Sequence, residues 1–291
     1  MPNQNLHQAM YYEKAEDSKV HCYLCPRNCL ISPGKVGVCR VRKNIDGELY
    51  SLNYGKITSI ALDPIEKKPL YHFHPGSIIL SVGTFGCNLK CSFCQNWQIA
   101  HETPDTYDIT PARLVEEAQK YVSRGNVGIA YTYNEPTIWY EFVYETSKLA
   151  KEKGLANVLV TNGYISQEPL ADTLPFIDAM NIDLKAFKAS FYKDICKSEN
   201  ALEHVKNTIA YAVKKCHVEV TTLVIPELND SIEEIEELAK WLASISPEIV
   251  LHLSRYFPRY KMDKPATPLK TLSTAGEKAS KYLKHVYLGN V

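Results

Sequence analysis

Neither sign of charge prevails in this 291-residue sequence, where thirty-three lysines and arginines stand against thirty-three aspartates and glutamates. A balanced chain gives no electrostatic reason to expect nucleic acid as an obligate partner. No apolar run approaches the ~20 residues that a membrane helix needs, and no basic-then-apolar leader opens the chain. The expectation is a soluble, cytoplasmic protein without a membrane partner. Internal repeats and low-complexity tracts are also missing, which leaves one barrel-sized core, with or without a small appendage, to account for the length.

Cysteine, by contrast, is plentiful. There are nine, seven of them in two tight clusters. An odd number so grouped suits metal-binding thiols in a reducing compartment better than a disulfide framework. Cys196 and Cys216 stand alone and read as inert packing residues.

From about Ser77 onward, β-rich runs alternate with amphipathic helical patterns. "SIILSVGTF", "VGIAYTY", "NVLVTN", "AMNIDLKA", "VEVTTLVIP" and "IVLHLSRYF" read as six buried strands. Thr110 and Pro111 form a helix cap and first position, and Pro136 and Gly154 open and close a second helix. Strands separated by helices imply a parallel sheet. The predicted fold is α/β, a partial (β/α)6 TIM-like barrel over residues 77–291, because a full eight-unit barrel takes ~250 residues. "VYLGNV" at the C-terminus reads as a last strand cut short. Residues 1–76 hold four cysteines and show no helical period. They are expected to form a small metal-organised cap, since so short a segment would be marginal alone.

Within "TFGCNLKCSFCQNW", Cys87, Cys91 and Cys94 stand at the spacing C-x3-C-x2-C, directly after the first barrel strand. Soft thiolates this close favour zinc or an iron–sulfur cluster. A structural zinc wants four ligands, and none beyond these three lies in the loop; the nearest downstream candidate is His101. A cubane cluster with three protein ligands leaves one iron open to a substrate or cofactor. Cys22, Cys25, Cys29 and Cys39 form the second set, C-x2-C-x3-C-x9-C, which suits a tetrahedral site for zinc or a second cluster.

The three-cysteine loop resembles that of the radical S-adenosylmethionine (SAM) superfamily, with Phe93 as the aromatic before the last cysteine. Together with "IEKKPLYHFHPG", "YNEPTIWYEF" and "VTNGYI", it makes nearly the whole chain similar to radical SAM proteins of the AmmeMemoRadiSam system, relatives of the pyruvate formate-lyase activating enzymes. That resemblance implies a [4Fe–4S] cluster on Cys87, Cys91 and Cys94 whose open iron binds SAM. It also implies a 5′-deoxyadenosyl radical that abstracts hydrogen from a substrate. Asn134 and Glu135 in "TYNEP" correspond to a second-strand motif that holds the SAM amino group, although Tyr133-Asn134 stands where the family usually has two glycines. Thr161 and Asn162 suit the methionine or ribose end. Asp183 and Lys185 share one strand face, and a D-x-K here binds SAM in the glycyl-radical-enzyme activases, as does a histidine at the place of His252.

The resemblance therefore implies an activating-enzyme-like oxidoreductase, anaerobic in its chemistry. Its radical acceptor is a protein, with a glycyl radical enzyme foremost, or a small molecule. Its electron donor is of the ferredoxin or flavodoxin kind. A metal-organised electron-transfer protein that never cleaves SAM would explain both cysteine sets but not the polar residues at the strand ends.

Overall fold

The computed structural model describes residues 6–291. Eight strands make its main sheet: β1 (Ser59–Pro64), β2 (Ile78–Gly83), β3 (Asn126–Tyr131), β4 (Ala156–Thr161), β5 (Ala179–Asp183), β6 (His217–Val224), β7 (Val250–Arg255) and β8 (Val286–Gly289). They lie side by side in chain order, with β1 and β8 at the two edges. β1 runs antiparallel to β2, and the seven strands from β2 to β8 are mutually parallel.

Parallel neighbours need crossovers. Helices α1 (Pro111–Gln119), α2 (Tyr140–Glu152), α3 (Gln167–Thr173), α4 (Ala201–Ala212), α5 (Ile232–Ile245) and α6 (Leu269–Ala279) supply one for each successive pair. Thr110 caps α1 by accepting from the Arg113 N–H, with Pro111 in the first position, as the sequence predicts. None of the described helices is long and apolar enough to cross a membrane.

The result is a partial barrel, with two differences from the sequence reading. "VYLG" is a full member of the sheet, pairing with β7 from Leu251 to Ser254, so there are seven parallel strands rather than six. It is short and half-buried throughout, so the sequence reads it as a strand cut short instead of a full member of the sheet. The edge strand β1 falls within the segment expected to form the cap, and its exposure does not alternate.

Ahead of β1 lie two three-stranded antiparallel sheets. One contains His7–Gln8, Glu48–Ser51 and Arg42–Ile45, and the other Tyr12–Lys14, Val20–Cys22 and Cys29–Ile31. Their buried Val20, Leu24, Val41 and Leu49 belong to the same apolar core as Ile129, Leu159 and Val220 of the barrel. A buried ion pair also joins the two regions. Arg42 Nη1 lies 3.0 Å from Glu141 Oε1 on α2, with the side chains 2% and 1% exposed. The Met10 N–H donates to the same oxygen at 2.8 Å.

The barrel is closed near the N-terminal ends of its strands by the segment after β1. Glu219 on β6 accepts from the backbone N–H groups of Tyr71 (3.0 Å) and His72 (2.8 Å), and from His217 (2.9 Å) and His252 (2.6 Å). Asn181 on β5 donates to Pro69 O at 2.8 Å, and the Tyr71 ring meets His252 edge to face.

Burial alone would raise the Glu219 carboxyl, but its four donors outweigh that and hold its pKa at about 2. A carboxyl depressed in the folded state contributes stability that is complete above its unfolded pKa and is lost as pH falls through the folded one. The window runs from about pH 4.3 to about pH 2. The melting temperature should therefore fall across this window. Glu219→Gln, weaker at neutral pH by about 3 kcal/mol, should show a shallower fall, and equal slopes for the two proteins would mean that the floor carries no charge.

Candidate cofactor site

At the opposite, C-terminal ends of the strands, where barrels place their chemistry, lies a cavity of about 430 Å³. That volume is in the range of small-molecule and cofactor sites. Cys87, Cys91 and Cys94 line it, with Phe93, Asn134, Glu135, Thr161, Asn162, Asp183 and Lys185.

The cysteine loop leaves β2 under tight constraint. Gly86 has φ +92°, and a Cβ there would sit 2.7 Å from Val41 Cγ1 and 2.8 Å from Cys39 O, so only glycine fits. Asn134 clamps the loop from β3's end, accepting from the Thr84 N–H at 3.1 Å and donating to Gly86 O at 2.9 Å. Farther on, the N–H groups of Lys90 and Ser92 donate to the carbonyls of Cys196 (3.0 Å) and Ile195 (3.1 Å). Asn162 Nδ2 lies 2.9 Å from Asn88 Oδ1 and 3.7 Å from Cys87 Sγ.

The buried Glu135 carboxylate serves the fold on every visible side. Oε1 accepts from Thr137 N (2.9 Å) and the Thr161 hydroxyl (2.7 Å), and Oε2 from Asn162 N (2.7 Å). Burial nonetheless leaves its pKa raised. Asp183 and Lys185 present more of themselves to the cavity. Lys185 Nζ lies 2.7 Å from Asp183 Oδ2 and 6.0 Å from the centre of the Phe93 ring. Burial would lower the ammonium, but the Asp183 carboxylate more than reverses this and holds its pKa well above the ordinary lysine value.

His252 does not line this cavity. Strand alternation puts it on the inner face, as the sequence suggests, but one layer too deep; Ser254, two residues on, reaches the cavity while His252 bonds Glu219 in the floor. Two groups escaped the sequence reading. Lys68, 3% exposed, pairs with Asp63 at 2.7 Å, and the Tyr133 hydroxyl donates to the same carboxylate at 2.8 Å. The usable signal was Tyr133 in place of a glycine, since it keeps the left-handed backbone with φ +70°. The other is the buried Cys196, whose carbonyl anchors the cysteine loop through Lys90, and a lone cysteine gives no such hint.

Cysteines, polar strand ends and an aromatic wall around one cavity define a barrel enzyme with a thiol-lined cofactor pocket. The chain belongs to the radical SAM superfamily, whose model matches residues 81–242. An uncharacterized protein of Methanocaldococcus jannaschii is 47% identical to it over 98% of this chain and 86% of that one. Pyruvate formate-lyase-activating enzyme of Clostridium pasteurianum is 29% identical over 55% of this chain and 67% of its own length. Among solved structures, Streptococcus suis SuiB bound to S-adenosylmethionine shares the fold with a TM-score of 0.57 at 15% identity, over 72% of this chain and 51% of that one. This chain is thus an enzyme of the radical SAM class, and membership implies a [4Fe–4S] cluster and SAM.

The residues present fit that cofactor pair. Three soft cysteine sulfurs line the cavity, and cluster ligands each hold a separate iron. Burial raises the thiols of Cys87 and Cys94, the latter to about 11, so cluster assembly must displace their protons.

Glu135→Gln would turn an amide NH2 toward at least one of three donors. A loss of about 1–3 kcal/mol in urea denaturation is expected. Unchanged stability would mean that the carboxylate is free for a ligand instead.

Proposed function

We propose that Cys87, Cys91 and Cys94 hold the [4Fe–4S] cluster, and that this chain cleaves SAM reductively to abstract a hydrogen atom from a glycyl residue of a partner protein. The observation that carries the reading is the meeting of the three cysteines with the Asp183–Lys185 pair around one cavity. When bound, the cluster and SAM supply a 5′-deoxyadenosyl radical from one electron and the sulfonium. Lys185 offers a buried cation to a ligand carboxylate, and Asp183, 37% exposed, offers acceptors to ribose hydroxyls. Phe93 closes the wall behind the ammonium. Asn134, Glu135, Thr161 and Asn162 orient the loop and strand ends that the ligand would touch.

The partner follows from the likeness to the pyruvate formate-lyase-activating enzyme. A one-electron donor of the ferredoxin or flavodoxin kind completes the reaction.

Anaerobic reconstitution with iron and sulfide, followed by dithionite and SAM, should release 5′-deoxyadenosine. The variant with Cys87, Cys91 and Cys94 all changed to alanine should release none; release at the wild-type rate would end this reading. Capture of a protein with a glycyl loop by cross-linking under anaerobic conditions would support the partner, and turnover with a small molecule alone would overturn it.

The ion pair has a separate test. Asp183→Asn and Lys185→Ala should each weaken SAM binding by roughly tenfold or more, since each removes about 1.5–3 kcal/mol of charge-assisted hydrogen bonding. The melting temperature of the ligand-free protein should fall far less than SAM affinity does. A large loss of stability with unaltered SAM affinity in calorimetry would reduce the pair to a prop of the fold.

A further inference from the structure

The four N-terminal cysteines converge on one small hollow away from the cavity. Cys22 and Cys29 are directly opposed across a hairpin, and Cys25 stands in its turn. Cys39 comes from the turn before Arg42–Ile45. All four line the hollow together with Arg27 and Arg42. None is in a disulfide, and Cys22, Cys25 and Cys39 are buried.

The wall of the hollow holds unmet donors. Arg42 is 2% exposed, and its Nε is buried without a hydrogen-bond partner; Arg27 Nη2 is likewise unpartnered. Leaving such groups unpaired is costly, more so when they are charged. Two cationic donors beside four thiols call for anionic sulfur, and a thiolate-ligated metal centre would supply it.

The position of the hollow bears on which centre. It adjoins the loop of Cys87, Cys91 and Cys94, with the Cys39 carbonyl against Gly86 and Arg27 bonded to Asn88. Zinc has no redox chemistry and would serve the fold alone there, whereas an iron–sulfur centre could exchange electrons with its neighbour.

We propose that Cys22, Cys25, Cys29 and Cys39 hold a second iron–sulfur cluster, complete in its protein ligands and therefore unable to bind SAM. Arg27 faces it as a cation, and Arg42, already paired with Glu141, turns its unpartnered Nε–H toward the same hollow. It adjoins the first cysteine set across a shared wall. The carbonyl of Cys39 lies against Gly86, and Arg27 Nε donates to Asn88 O at 2.8 Å, on either side of Cys87. Across that wall the reduced second cluster can give up one electron as the first takes it up, and a low-potential donor protein restores it.

The full-length chain tests this without reference to turnover. After anaerobic reconstitution, the variant with Cys87, Cys91 and Cys94 changed to alanine should keep about two to four irons with matching sulfide, and wild type should carry about four more. Reduced wild type should show electron paramagnetic resonance signals broadened by coupling between two clusters. A variant holding one zinc and no iron would overturn the proposal. So would a metal-free variant whose four remaining N-terminal cysteines are all alkylated while its circular dichroism stays native. If the variant does not fold, the converse variant, with Cys22, Cys25, Cys29 and Cys39 changed to alanine, decides, because iron equal to that of wild type leaves no second cluster. Failure of the first-cluster reading has a different signature: equal iron in wild type and the first variant.

Discussion

Gly86 has no room for a side chain, and the site is arranged around that fact. At this point the loop that carries Cys87, Cys91 and Cys94 lies backbone to backbone with the turn that carries Cys39. The close approach fixes where the loop leaves β2, and Asn134 then reads its position through one N–H and one carbonyl. Glu135 and Thr161 extend the same bonding to the end of β4, and Asn162 carries it back to Cys87. Three strand ends and one loop thus form a single hydrogen-bonded rim. A cofactor site built this way is preorganised, because its polar groups are held by the fold before any ligand arrives.

Much of this was legible in the sequence. The spacing of three cysteines after a buried strand located the cavity, and the two-residue interval between Asp183 and Lys185 put both on the inner face. Where the reading fell short, depth or context was missing. Period-two alternation says which face His252 takes but not how far down the barrel it sits, so a floor residue looked like a ligand-facing one. β1 and β8 lie at the sheet edges and carry no alternating pattern. Lys68 and Asp63 are near neighbours across the short turn Ile65–Lys67, but the Tyr133 hydroxyl that completes the group comes from the end of β3, 70 positions on, which no local signal foretells. Cys196 meets the cysteine loop at Lys90 across 106 positions of sequence, counted from 90 to 196.

The barrel divides into two layers with opposite electrostatic habits. In the floor, Glu219 is ionised and fully bonded by four donors, so its charge belongs to the structure. In the cavity above, Asp183 and Lys185 satisfy one another and keep part of their capacity turned outward. Stability is thereby assigned to one layer and the proposed binding to the other, and changes in either can be made with limited effect on its neighbour.

The Arg42–Glu141 pair has a consequence for how the chain is made. Arg42 leaves the ribosome 99 residues before its counter-ion, and the sheets around it share the barrel's core instead of having their own. At about 5–20 residues per second, that interval lasts roughly 5–20 seconds. Throughout it the four N-terminal thiols are open to whatever oxidants, metals or cluster carriers the surroundings hold. Biosynthesis itself sets a window for loading or losing those cysteines, and it closes once α2 has emerged and docked.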